Sequence, residues 1–141
     1  MNAPDLLAAS RREETLYREL VAVYETLATA LGDEVVAVDP ARVAAGYARA
    51  ETVTDRLRQV AATLAPHRLS AATVPAAVGE LWRTSAALAA TVADLNAGLV
   101  ARARARRAAV ATRLASLAGA RQGLGAYRPL GRRPAALDQH A

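Results

Sequence analysis

Apolar residues recur at alternating spacings of four and three in the first part of the chain, which predicts a helix that packs along one face. This helix is expected over about residues 5–31. Asp5 is a suitable residue to cap its start, and Gly32 a suitable residue to end it. Its apolar face is formed by Leu16, Leu20, Val23, Leu27 and Ala30.

A second helix is predicted over about residues 40–65. Asp39 followed by Pro40 is a strong start signal, because aspartate caps free N–H groups and proline lacks the N–H that would go unpaired in the first turn. Pro66 is expected to stop this helix. The apolar face comprises Val43, Tyr47, Ala50, Thr54, Leu57, Val60 or Ala61, and Leu64.

A third, longer helix is predicted over about residues 74–118, with Thr73 as its cap and Pro75 in its first turn. Its apolar face comprises Val78, Leu81, Ser85, Leu88, Val92, Leu95 and Leu99. The spacing then slips and resumes as Ala103, Val110, Leu114 and Leu117. Because helices average about 11–12 residues, one of this length must fold back against the first two or leave its end for a partner.

Together these segments predict an all-α fold, an elongated antiparallel three-helix bundle of coiled-coil type over residues 1–118. Strand-like alternation is confined to the short run Val35–Val38. Residues 119–141 are rich in Gly, Pro and Arg and keep no apolar period, so they are predicted to form a flexible tail.

Composition narrows the class of protein. Apolar residues make up 53% of the chain, many of them alanine, and cysteine is absent, which excludes disulfides and cysteine-based metal sites. No stretch of about 18 uncharged apolar residues occurs, and the N-terminal residues do not follow the order of a secretory signal. We therefore expect a cytoplasmic protein with no membrane span.

The charge is unevenly distributed, and every basic residue is an arginine. Residues 1–60 contain 7 arginines and 10 acids, whereas residues 61–141 contain 11 arginines and 3 acids. In the third helix the arginines wrap around more than half of the surface. Three interpretations of these arginines remain open. Their aliphatic stems could cover the apolar surface of a bundle that becomes thinner here, or this end of the helix could stand in water. They could also form a docking surface for an acidic or polar partner. These residues are Arg102, Arg104, Arg106, Arg107 and Arg113.

Little in the sequence points to catalysis. His67 follows Pro66 in a predicted turn and His140 lies beside the C-terminus, and neither has a second ligand at helical spacing, so no metal or cofactor is expected. No serine has a nearby general base, and we expect no enzyme activity. The acids of the first helix alternate with arginines and are interpreted as a solvated, ion-paired surface. These acids are Glu13, Glu14, Glu19 and Glu25.

Three stretches in the last third of the chain carry a family resemblance: Asp94–Leu99, Arg113–Gly119 and Tyr127–Gly131. With the helical layout, they make the chain similar to the FlgN family of flagellar type III export chaperones. The chain departs from that family in having Asn96 alone, where a doubled Asn-containing stretch is frequent. Its second helix is also Ala-rich, whereas the family's is commonly Lys- and Glu-rich.

The resemblance implies a specific function. Such chaperones bind the C-terminal segments of hook–filament junction proteins in the cytoplasm, prevent their premature assembly and deliver them to the export gate. By similarity, Tyr127 would contact the export-gate protein, and the protein would be a monomer or a weak homodimer. Cargo would be bound by Leu95, Asn96, Leu99, Val110, Leu114 and Leu117.

Two other functions remain open. A basic helical nucleic-acid-binding protein would explain the charge of the second half, but the arginines form no stripe and no aromatic platform accompanies them, so no nucleic acid is expected as a partner. A structural coiled-coil adaptor would instead self-associate stably through the third helix.

Overall fold

The computed structural model describes residues 1–32, 38–70 and 74–131, with side chains as far as residue 125. Over this range the chain is all-helical, as predicted, with α1 (Ala3–Leu31), α2 (Pro40–Leu69) and α3 (Ala76–Gly131). The chain divides into two compact units, residues 1–103 and residues 104–141. We call them the first and the second unit; α3 contributes residues to both.

The start of α1 is set by Asn2 and not by Asp5. The Asn2 side chain accepts a hydrogen bond from the Asp5 N–H at 2.9 Å, and Pro4 occupies the first turn, where a missing N–H costs little. The helix ends at Gly32 as predicted. Gly32 has a φ of 56°, which favours glycine because it has no Cβ.

The start of α2 agrees with the prediction, since Asp39 accepts a hydrogen bond from the Ala41 N–H at 3.0 Å. Its end does not agree, because the helix continues past Pro66 to Leu69. A late proline removes one backbone hydrogen bond but keeps its own carbonyl as an acceptor. That carbonyl accepts from the Ser70 N–H at 3.2 Å and closes the last turn.

Both ends of α3 differ from those predicted. The proposed cap Thr73 lies outside the described residues, and the Pro75 carbonyl accepts from Val78 and Gly79 N–H groups at 2.9 and 3.1 Å. The helix runs on through Gly119 to Gly131, where a flexible tail was expected. A glycine lowers helix stability by only about 1 kcal/mol relative to alanine, and the residues between Gly119, Gly123 and Gly125 are the good helix formers alanine, arginine, glutamine and leucine. Residues 132–141 lie outside the described range.

The three helices of the first unit share one apolar core. The alternating spacings predicted most of its members, although Val53 takes the buried place expected for Thr54, and Tyr47 is 44% exposed. The buried apolar residues are Leu6, Leu16, Leu20, Val23, Leu27, Leu31, Ala50, Val53, Leu57, Val60, Leu64, Val78 and Leu99.

Contacts between side chains fix the helix directions in the first unit. Glu13 near the start of α1 pairs with Arg68 near the end of α2, and Glu19 pairs with Arg49, so α1 and α2 are antiparallel. The Ser10 hydroxyl accepts from the Trp82 indole, and Arg102 donates to the Ala28 carbonyl. Helix α3 therefore runs parallel to α1 over residues 82–102.

Helix α3 also passes a test for membrane-spanning helices by length and composition. Within residues 76–125 an 18-residue window has a mean hydropathy of 1.3, and 11% of that window is buried. Asp94 is the only charged residue between Arg83 and Arg102, and alanine supplies much of the rest. One such helix is a weak indication of a membrane span, whereas the absence of any stretch of about 18 uncharged apolar residues predicts none.

Candidate partner-binding site

The cargo-binding residues predicted by resemblance fall into two groups. Leu95, Asn96 and Leu99 belong to the first unit, where α3 packs on α1 and α2. Val110, Leu114 and Leu117 belong to the second unit. The two groups have different surroundings.

Leu99 is a core residue of the first unit, with only 2% of its surface exposed. Leu95 is half-buried beside it, on a groove of about 270 Å³ that Ala28 of α1 also lines. Asn96 is exposed on a different groove, which it shares with Tyr24 and Asp55. Leu99 is therefore covered by the core of the first unit in this structure and presents no exposed surface to a partner, so its assignment to cargo stays a prediction.

The second unit presents an exposed apolar row. Val110 is 56% exposed, Leu114 and Leu117 are each 61% exposed, and Leu124 is 68% exposed. Their spacings of four, three and seven residues place all of them on one helix face. We call these four residues the C-terminal apolar row. Exposed leucines at such spacing are typical of a helix face that a partner helix covers.

Arginines accompany this row along the helix, in a part of the sequence that contains no acid. Between Asp94 and Asp138 the sequence contains no Asp or Glu. Arg104, Arg107, Arg113 and Arg121 are exposed, and Arg106 is half-buried. The described side chains of residues 104–125 therefore combine an exposed apolar row with arginines beside it and on the same helix face.

Sequence reasoning missed a buried polar cluster in the first unit. Glu13, interpreted as a solvated surface acid, is only 2% exposed and pairs with Arg68 at 2.5 Å. The Arg68 guanidinium lies over the Trp82 ring, 5.2 Å from its centroid, in cation–π geometry. We define the polar cluster as Ser10, Glu13, Tyr17, Arg68, Trp82 and Ser85.

Hydrogen bonds tie this polar cluster to all three helices. The Trp82 indole N–H donates to the buried Ser10 hydroxyl at 3.0 Å. Ser85 is also buried, and its Oγ has no hydrogen-bond partner among the described residues. A cavity of about 190 Å³ lies between Glu13, Tyr17, Arg68, Trp82 and Ser85. Such a cavity is large enough, and polar enough, to hold ordered water beside Ser85.

The cluster also changes the acidity of Tyr17. Burial raises the pKa of the Tyr17 phenol above its ordinary value of 10.0, and the negative charge of Glu13 adds to this effect. Arg68 acts in the opposite direction. The arrangement favours the neutral form of the Tyr17 phenol and pairs Glu13 with Arg68.

The sequence did contain a signal for this cluster. Ser10 and Glu13 lie between Leu6 and Leu16 at spacings of four, three and three residues, which keeps them on the apolar face of α1. A polar residue at an apolar position indicates a buried polar contact when a partner is available. Arg68 and Trp82 could be recognised as those partners only after the fold was known.

The predicted export-gate residue Tyr127 lies within α3, close to its C-terminal end at Gly131. Its side chain is outside the described part of the structure. No group of three or more His, Asp or Glu side chains within the described ranges is arranged to hold a metal ion.

Comparison of the chain with protein-family models, with curated proteins and with solved structures finds no match.

Proposed function

We propose that this protein is a cytoplasmic export chaperone for flagellar hook–filament junction proteins. In this proposal it binds their C-terminal segments along the second half of α3, prevents premature assembly and delivers them to the type III export gate. The family resemblance of the last third of the chain suggests the cargo. The C-terminal apolar row suggests where on the chain the cargo is bound.

The observation that carries the proposal is the exposure of Val110, Leu114 and Leu117. Burying a leucine side chain contributes about 1.5–3 kcal/mol relative to leaving it in water. A row of them on one face therefore offers a partner helix substantial binding energy. The row spans residues 110–124, or about 21 Å of helix at 1.5 Å per residue, which suits a segment of four turns.

The proposal narrows the cargo-binding residues suggested by resemblance. Leu99 already contributes to the core of the first unit, and Leu95 is half-buried beside it. Neither is assigned to cargo here. Val110, Leu114 and Leu117 keep that assignment, and Leu124 joins them because it continues the same face.

The first experiment is a pull-down from the native cell with tagged wild-type protein and two variants, Leu114→Asp and Ala115→Asp. Both add one negative charge to neighbouring exposed positions of α3, but Ala115 points away from the apolar row. Junction proteins should be recovered with wild type and Ala115→Asp and lost with Leu114→Asp. Their absence from the wild-type sample would reject the proposed cargo.

A second experiment tests the role that resemblance gives to Tyr127. Tyr127→Ala should leave cargo binding unchanged, because Tyr127 lies beyond the apolar row, and should block secretion of the junction proteins. Normal motility and normal secretion in that variant would remove Tyr127 from the proposal without affecting the cargo site.

A further inference from the structure

We propose that the occupant of the C-terminal apolar row is an amphipathic helix with acidic residues on both flanks of its apolar face. The inference rests on the proposed function for the existence of a helical cargo. It adds which side chains of the cargo the second unit would recognise.

The apolar row has the register of a coiled-coil seam. With Val110, Leu117 and Leu124 at one core position of the heptad and Leu114 at the other, Arg104 and Arg113 occupy the two flanking positions. Residues at flanking positions meet the flanks of the partner helix and determine which partner is accepted. Arginine on both sides therefore favours glutamate or aspartate on the partner.

Two further arginines lie on the seam itself. Arg107 and Arg121 take the same core position as Leu114, one heptad before it and one after it. A charged residue at a core position costs stability unless the partner offers an opposite charge or the side chain reaches water. A partner with acids opposite these two positions would pair with both, and its apolar residues would cover Leu114 and Leu117.

A second copy of this chain is a poor occupant. Residues 104–131 contain six arginines and no acid, so two copies paired along this face would place like charges opposite each other in either orientation. Like charges across such a seam are destabilising. The charge pattern thus disfavours a homomeric coiled coil and favours an acidic partner.

Nucleic acid is also acidic, but it does not explain the leucines. Phosphate contacts need cations and make no use of a row of aliphatic side chains. Leu114 and Leu117, each 61% exposed, gain from a partner only if that partner is apolar along the same line. A protein helix satisfies both the apolar row and the arginines.

Binding of designed helical peptides to the purified full-length chain tests this inference. The first peptide repeats a heptad with leucine at both core positions and glutamate at both flanking positions. The second replaces the glutamates by lysine, and the third replaces the core leucines by serine. A short duplex DNA is the fourth ligand.

The glutamate-flanked peptide should bind at least about tenfold more tightly than the lysine-flanked and serine-core peptides, because several flanking ion pairs each add a small increment. Its affinity should fall when salt is raised from about 0.05 M to about 0.5 M, since salt screens exposed charges. Equal affinity for the glutamate and lysine peptides would overturn the inference, as would tighter binding of DNA than of any peptide.

Two variants that each lower the net charge by one show which helix face determines the affinity for the glutamate-flanked peptide. Arg113→Gln should weaken binding of the glutamate-flanked peptide about two- to fivefold. Ala115→Glu also lowers the net charge by one, but on the opposite face of α3, and should leave the affinity nearly unchanged. Equal losses in both variants would mean that net charge and not the flanking position is responsible, and would overturn the inference.

This experiment can fail independently of the proposed function. If junction proteins are recovered from cells but the peptides show no preference for acidic flanks, the cargo assignment stands and the partner chemistry is wrong. If the acidic peptide binds as expected but no junction protein is recovered, the docking chemistry stands and the cargo assignment fails.

Discussion

At the residue scale, the pair formed by Glu13 and Arg68 joins a buried carboxylate to a guanidinium at the edge of the core. Glu13 has 2% of its side chain exposed, whereas Arg68 keeps 35% exposed. A carboxylate so deeply buried needs its counter-charge, while an arginine at the edge of the core can still reach water. The buried glutamate therefore needs the arginine as its counter-charge, whereas the arginine can be solvated by water without the glutamate.

Arg68→Met should lower the free energy of unfolding by about 3 kcal/mol, because it leaves the Glu13 carboxylate buried without its partner. Arg18→Met is the control, since Arg18 pairs with Glu14 on the surface with 61% and 21% of the two side chains exposed. That variant should lose less than about 1 kcal/mol. Urea unfolding followed by circular dichroism measures both, and equal losses would contradict a structural role for the buried pair.

Because of Tyr17, the stability of the folded protein should depend on pH in the alkaline range. Its raised pKa means that the unfolded chain loses the phenolic proton at lower pH than the folded chain does. The unfolded state is then favoured as pH rises above about 10, and stability that is complete below that pH is lost progressively. Tyr17→Phe should lose less stability than wild type between about pH 9 and about pH 11. Identical pH profiles would show that Tyr17 does not contribute.

The residue scale is also where sequence reasoning was least successful. The spacing identified Leu20, Leu27 and Leu64 as core residues without knowledge of the fold, because burial follows periodicity. It did not identify the environment of Glu13, because charged side chains usually lie on the surface and this one is buried on the apolar face of α1. The missing information was which residues of α2 and α3 would face that position.

At the element scale, the helix boundaries show which sequence signals determine structure. The starting pair Asp39–Pro40 and the terminating Gly32 agree with the structure because each meets a specific backbone requirement. Pro66 and Gly119 do not end their helices. Pro66 lies in the last turn of α2, where its own carbonyl still accepts from the Ser70 N–H. A glycine such as Gly119 lowers helix stability by only about 1 kcal/mol relative to alanine.

Gly46 and Gly98 give a matched test of close packing between helices. A Cβ at Gly46 would lie 2.5 Å from Leu27 Cδ2, whereas a Cβ at Gly98 would meet nothing within 4 Å. Gly46→Ala should therefore destabilise the protein by about 1–3 kcal/mol through overpacking, despite the better helix propensity of alanine. Gly98→Ala should stabilise it by up to about 1 kcal/mol.

Thermal unfolding of the two variants beside wild type measures this difference. If Gly46→Ala is as stable as Gly98→Ala, then α1 and α2 do not approach as closely at Leu27 as the structure indicates. The comparison is informative because both substitutions have the same intrinsic effect on a helix and differ only in the space around the added methyl group.

At the scale of the whole molecule, α3 has two kinds of surroundings. Up to Leu99 several of its apolar residues pack into the core of the first unit, and over residues 104–125 its side chains are exposed except for Arg106. The slip in apolar spacing after Leu99 predicted a change at this point, since a core-facing stripe must keep its phase. The sequence could not establish whether the leucines of the C-terminal apolar row are covered, because a separate partner molecule could cover them.

Leu114→Asp should weaken partner binding without destabilising the fold. Because Leu114 is 61% exposed in the second unit, the substitution removes little buried apolar area and should change the free energy of unfolding by less than about 1 kcal/mol. Circular dichroism and urea unfolding should match those of Ala115→Asp. A large loss of stability confined to Leu114→Asp would mean that Leu114 supports the fold and not a partner.

The most direct measurement is the affinity of the purified full-length protein for the C-terminal segment of a hook–filament junction protein from the same cell, determined by calorimetry. Wild type and Ala115→Asp should bind with similar affinity, and Leu114→Asp should bind at least about tenfold more weakly. Equal affinity in all three proteins would contradict the claim that the C-terminal apolar row is the binding surface.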